Sequence, residues 1–181
     1  MQIQNNPWSF VSTDPATAAI TGGTGLTLNA DGTVTITSGA LTFNTGAESN
    51  LGFTVLGATA AAYNGFYYRI SGASGATTFV MQPQFVIPAG TAQSGAGTLA
   101  QVLYRSKVRI EDISWQNIGV GAEGAAVSMQ IVDRNGNDVW RAAIPATAPN
   151  LAQLNRGKVY WVAGLVPISI PANTEVLVTV N

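Results

Sequence analysis

The 181-residue sequence contains no cysteine and no histidine, and only 9% of its residues are charged. Without cysteine there is no disulfide framework, and without either residue the common metal sites and the Cys- or His-based nucleophile pairs are excluded. Average soluble domains carry roughly 25% charged residues. Here eight basic and nine acidic side chains leave a formal net charge of -1, so the basic footprint of a nucleic-acid binder is missing as well. No stretch approaches the ~18 uninterrupted apolar residues of a membrane helix. Residues 1–7 have neither a basic start nor an apolar run, so no secretory signal is expected and the chain reads as soluble and made in the cytoplasm. Absence of thiols also suits a particle that must persist outside a cell.

Hydrophobic residues make up 46%, which leaves Thr, Ser, Asn, Gln, Ala and Gly to build most of the surface. The length allows one domain or two small ones, folded without covalent staples. Residues 104–181 carry thirteen of the seventeen charges, whereas fourteen of the twenty glycines precede residue 100. The segment from Pro88 to Gly97 reads as a long turn or linker. These shifts predict an arm at 1–14, a Gly/Thr-rich β module at 15–100 and a β-sandwich module at 101–181.

Thr33-Val34-Thr35-Ile36-Thr37 and Leu41-Thr42-Phe43 alternate at period two, the mark of half-buried strands. Short runs at 53–56, 66–70 and 77–81 follow, separated by Gly-rich punctuation at the spacing of sandwiches and small barrels. Ala58–Ala62 is long enough only for a single helical turn. Longer strands are expected at 101–104, 108–115, 126–132, 139–144, 158–162 and 175–180, with Asn135-Gly136 as a tight hairpin turn. Pro167 and Pro171 are expected to keep their segment out of a central strand. The predicted fold is all-β: an antiparallel β-sandwich or jelly-roll-like C-terminal module, with a smaller β-barrel-like N-terminal module.

Candidate chemistry is sparse. Gly22-Gly23-Thr24-Gly25 lacks the Gly-Lys-Ser/Thr ending of a phosphate loop and leads into strand-like Leu26-Thr27-Leu28, so it reads as a turn. Asp133-Arg134-Asn135-Gly136-Asn137-Asp138 gathers oxygen ligands but lacks the closing bidentate acid of a calcium loop; a cation bound there would use Asp133 and Asp138. Glu111-Asp112 is the sole adjacent acidic pair, and successive strand residues face opposite ways. A nucleophile would have to be Ser, Thr or Lys activated by another Lys or a carboxylate, and the two lysines available, Lys107 and Lys158, sit in no recognisable motif. No catalytic residue, metal or cofactor is therefore expected.

Aromatic residues remain. Tyr67-Tyr68 and Tyr160-Trp161 are adjacent pairs on strands, so one member of each must point away from its sheet's core face. That member covers another module, meets a partner or stacks on a sugar. Trp8 and Phe10, in a polar N-terminal segment, either anchor an arm to a neighbouring subunit or fold back on their own domain. Trp8, Phe10, Tyr67, Tyr68, Tyr160 and Trp161 are the candidate interface residues.

The stretch Gly57 to Ser71, with its Tyr63-Asn64-Gly65 turn and Ile70-containing strand, followed by Thr77-Thr78-Phe79-Val80-Met81 and a Gly-rich run, resembles a β module of tailed-bacteriophage virion proteins over roughly forty residues. The C-terminal layout, with the Asp133 to Trp140 hairpin and the ending Ile170 to Val180, resembles capsid decoration (cement) proteins. The resemblance implies a virion structural protein that stabilises an assembled capsid as a homo-oligomer or in many copies, with the major capsid protein or other virion proteins as partners and neither nucleic acid nor membrane. Neck, tail or fibre components are the nearest alternatives. A different class, a carbohydrate-binding β module for a host surface, would use the outward aromatics as its platform.

Overall fold

The computed structural model describes residues 8–11, 15–43, 52–117, 127–144 and 160–180. Thirteen strands follow in chain order: β1 (Trp8–Val11), β2 (Thr17–Ala19), β3 (Leu26–Leu28), β4 (Val34–Thr37), β5 (Gly52–Leu56), β6 (Gly65–Ser71), β7 (Thr78–Pro83), β8 (Thr98–Gln101), β9 (Tyr104–Asn117), β10 (Val127–Val132), β11 (Asp138–Ile144), β12 (Tyr160–Ser169) and β13 (Thr174–Val180). There is no α-helix among the described residues. The chain is all-β, with two antiparallel sheets, one curled into a half-barrel and one flat. The helical turn expected at 58–62 is a 3-10 turn at Ala61–Tyr63.

Tertiary contacts divide the chain into two units, one of residues 16–105 with 134–137 and one of 1–15, 106–133 and 138–181. The first holds the seven-stranded sheet β2-β8-β5-β6-β7-β4-β3, and the second the six-stranded sheet β1-β13-β9-β12-β10-β11. The chain passes between the units at 15/16, at 105/106 and at either end of 134–137, not in the segment 88–97. That segment connects two strands of the same sheet: Ser94 pairs with Leu26, and β8 then pairs with both β5 and β2. Gly and Pro mark irregular backbone but do not say whether it joins modules or strands.

The curled sheet buries its own concave side. Leu26↔Ile36, Ile36↔Phe79 and Val34↔Met81 stand opposite one another, so apolar residues at period two meet on a single face. Inside, Phe43, Phe53 and Phe79 pack with ring centroids 5.4–6.4 Å apart. Isolated bridges close the curl. Ile20 pairs with Ser38 and Leu26 with Ser94, the latter with N–H···O distances of 2.7 and 3.2 Å, so both terminal strands find partners beyond the sheet's nominal ends. Unpaired strand edges invite aggregation, and these bridges cover part of both. Gly95 permits the approach: a Cβ there would lie 1.8 Å from the Gly22 carbonyl oxygen. Leu41 and Phe43 are buried and Thr42 between them is exposed, but the segment forms no strand, its backbone tied instead to Ala76, Gly75 and the Ser74 hydroxyl.

In the flat sheet, Phe10, Ile113, Trp115, Met129, Ile131, Trp140, Val176 and Val178 are buried. A hairpin links β10 to β11 as expected, but through the five-residue loop 133–137 rather than a tight two-residue turn: Gly136 is at φ 87° and Asn135 is not at positive φ. Two sequence expectations change here. Residues 8–11 of the expected arm form β1, paired in register with β13, and Phe10 is wholly buried opposite Val176. Residues 1–7 and 12–14 of that arm lie outside the described residues, as do Lys158 and Val159 of the strand expected at 158–162. Pro167 sits within interior strand β12, opposite Ile131, where the register shifts between Gln130 and Ile131. A ladder irregularity is where a missing N–H is tolerated.

Candidate functional site

Alternation sorts the candidate aromatics. Tyr67 points inward and is fully buried; its hydroxyl donates to the Tyr63 carbonyl at 2.6 Å and its ring meets Phe85 edge to face at 5.3 Å. Burial, and secondarily the neighbouring Tyr63, push its hydroxyl pKa far above the ordinary value, so it stays a neutral phenol. Tyr68 points outward at 36% exposure, and Trp161 outward at 60%. Phe10 is buried within this chain. The side chains of Trp8 and Tyr160 lie outside the described residues.

On the flat sheet, the Lys107 ammonium lies 5.8 Å from the centroid of the Trp161 ring. An exposed cation–π contact of this kind contributes about 0.5–1 kcal/mol, enough to orient the indole without burying it. Asp138 accepts from Gln130 Nε2 at 2.6 Å and pairs with Arg141 at 3.2 Å, both partners more than half exposed. Those contacts occupy the carboxylate that a cation would need, and no group of three or more metal-ligating side chains occurs among the described residues. Asp112 stands opposite Thr179 and Ile110 opposite Val180, so Glu111 is the extra residue at a register shift and simple alternation does not govern the acidic pair. Lys107 faces Trp161 rather than a nucleophile.

On the convex side of the curled sheet, β6 presents Phe66, Tyr68 and Ile70 at period two. Phe66 is covered by the Arg134 guanidinium at 5.3 Å, while the Thr54 hydroxyl donates to the Arg134 carbonyl at 2.8 Å. Tyr68 leans edge-on against Phe66 at 5.0 Å and accepts from Gln84 Nε2 at 2.5 Å. Gln82 stands opposite Tyr68 in the ladder and also lines a cleft of about 660 Å³. Asn29, Gly32, Phe85 and Val86 line it too, and Val86 is 90% exposed. Asn29 is held by its amide nitrogen to the Thr33 and Thr35 hydroxyls at 2.8 and 3.1 Å. In the turn between the lining residues Ala30 and Gly32, Asp31 accepts the Thr33 hydroxyl and amide, which holds its carboxyl below the ordinary range.

Sequence reasoning missed Asn29, Gln82 and Gln84. Some fifty residues separate the first from the others: the β6–β7 register sets Gln82 opposite Tyr68, and Asn29 reaches the same cleft as Gln82 only through the β3–β4–β7 pairing. The alternation Met81, Gln82, Pro83, Gln84 carried the sole local hint.

No protein-family model, no curated protein and no solved structure gives a significant match to the chain.

Proposed function

We propose that the chain is a virion structural protein that decorates and stabilises an assembled bacteriophage capsid, working by contact, without catalysis or cofactor. The observation that carries this reading is Trp161, a large indole 60% exposed on the flat sheet and oriented by Lys107. Tryptophan is the residue type most enriched at binding hot spots, and burying one in a partner pocket supplies about 2 kcal/mol or more. A chain with only 9% charged residues brings few ions to desolvate at such a contact.

The mechanism is linkage. A protein that binds the assembled lattice better than free subunits shifts assembly toward the lattice, and repetition over many sites multiplies modest contacts through avidity. The partner is the major capsid protein or another virion protein, and the chain reaches the virion after synthesis in the host cytoplasm. The direct experiment is co-sedimentation with empty capsids assembled from the major capsid protein of the same genome. Saturable binding to capsids, with none to dissociated subunits, is expected; no binding to either would defeat the proposal.

A further inference from the structure

From the convex face of the curled sheet we infer a second binding site, beyond the capsid contact: the cleft beside Tyr68 takes a neutral oligosaccharide. Its volume, about 660 Å³, lies within the roughly 300–1,000 Å³ of small-molecule sites. Within its lining Asn29 and Gln82 are the polar side chains, while Leu28, Pro83, Phe85, Val86 and Ile87 make an apolar wall; Tyr68 and Gln84 stand outside the lining, Tyr68 opposite Gln82 in the ladder and bonded to Gln84.

A sugar presents hydroxyls that both donate and accept, alternating with C–H faces that are apolar. Carboxamides match the first property because each offers two donors and an acceptor. Gln82 is exposed and its side chain makes no hydrogen bond among the described residues, so its amide is available at no cost of a broken contact. Gln84 donates to the Tyr68 oxygen, which leaves the phenol proton and the Gln84 carbonyl oxygen for a ligand. Asn29 spends its amide protons on the Thr33 and Thr35 hydroxyls and its oxygen also accepts from Thr35 at 3.3 Å, so what it offers a ligand is the remaining lone pair of a fixed, preorganised oxygen. The partly exposed Tyr68 ring, braced edge-on by Phe66, and the Val86 side chain supply apolar surface for the C–H faces.

The same lining argues against other ligands. No basic side chain lines the cleft, and Asp31 sits at its rim between Ala30 and Gly32, so an anionic ligand would lose hydration without gaining a partner. A peptide adding as a strand needs a free edge. β6 and β7 are interior, and three-residue β3 is already bridged at Leu26 by Ser94.

The test is an amide-resolved NMR titration of the intact chain with cellotetraose, maltotetraose, chitotetraose and mannotetraose, and with sialyllactose as the anionic counter-probe. At least one neutral tetrasaccharide should shift the signals of residues 82 and 84–86 saturably. Tyr68→Ala and Gln82→Ala should each weaken that binding about tenfold, equivalent to about 1.4 kcal/mol, with unchanged melting temperature. Trp161→Ala should leave it intact while reducing capsid co-sedimentation, so that the two sites fail separately. No saturable shift at about 10 mM of any neutral probe, a scale set by ~3 kcal/mol of binding, would overturn the inference. So would equal binding of sialyllactose, or full binding by the Tyr68→Ala/Gln82→Ala double variant. Because both side chains are exposed, a variant that unfolded would contradict their placement on this face and count against the site.

Discussion

The curled and flat sheets solve the same problem, covering an apolar face, in different ways. By bending until Ile20 meets Ser38 and Leu26 meets Ser94, the seven-stranded sheet packs its concave side chains on one another. The flat sheet buries a different set, with Phe10, Ile113, Trp140 and Val176 among its enclosed side chains. Curvature brings the strands' apolar rows together, and loop residues Leu41, Phe43, Tyr63 and Ile87 complete that core. The charge distribution follows the same division, since the region rich in glycine needs tight turns and the charged region needs solubility along longer strands.

Removing the aromatic centre of the curled sheet should do the most damage. Phe79→Ala opens a cavity between Phe43 and Phe53 and is expected to cost about 3–5 kcal/mol in denaturant unfolding. Phe10→Ala, on the edge strand of the flat sheet, should cost about 3 kcal/mol, the lower end of that range, because an edge site relaxes more easily. A melting temperature unaffected by Phe10→Ala would restore the arm reading of this segment. Gly95→Ala sharpens the comparison further: it drives a methyl into the Gly22 carbonyl and should cost about 1–3 kcal/mol by opening the curl, with no effect on the flat unit's hydrogen-exchange protection.

A smaller effect is set by pH. Tyr67 has a folded pKa above its ordinary 10.0, so the folded state holds its proton where the unfolded chain releases it. Its contribution is complete below pH 10 and is lost as pH rises beyond that value. Alkaline unfolding followed by tyrosinate absorbance should show Tyr67 titrating only with global unfolding, and Tyr67→Phe should flatten the stability decline above pH 10.

Much of this was legible in the residues. Period-two alternation located most strands, Asn135-Gly136 located its hairpin, and the adjacency of Tyr67 with Tyr68 required that one of them face outward. What stayed hidden depends on distant pairing. The single bridges at Ile20 and Leu26 have no local signature, and without them residues 88–97 look like a linker. Pro167 reads as a strand breaker until the register shift opposite it is known. Phe10 looked like an anchor because nothing nearby in sequence covers it, whereas Val176 in β13 stands opposite. The amides beside Tyr68 were invisible for the same reason.

The smallest expected stability change carries the largest functional weight. Trp161→Ala removes an exposed ring and should alter folding stability by less than about 0.5 kcal/mol. Quantitative co-sedimentation of the wild-type chain and this variant with empty capsids of the same genome tests the central claim most directly. The account predicts saturable wild-type binding and a loss of about thirtyfold in apparent affinity for the variant, equivalent to about 2 kcal/mol at the contact. Equal binding by the two proteins would contradict it.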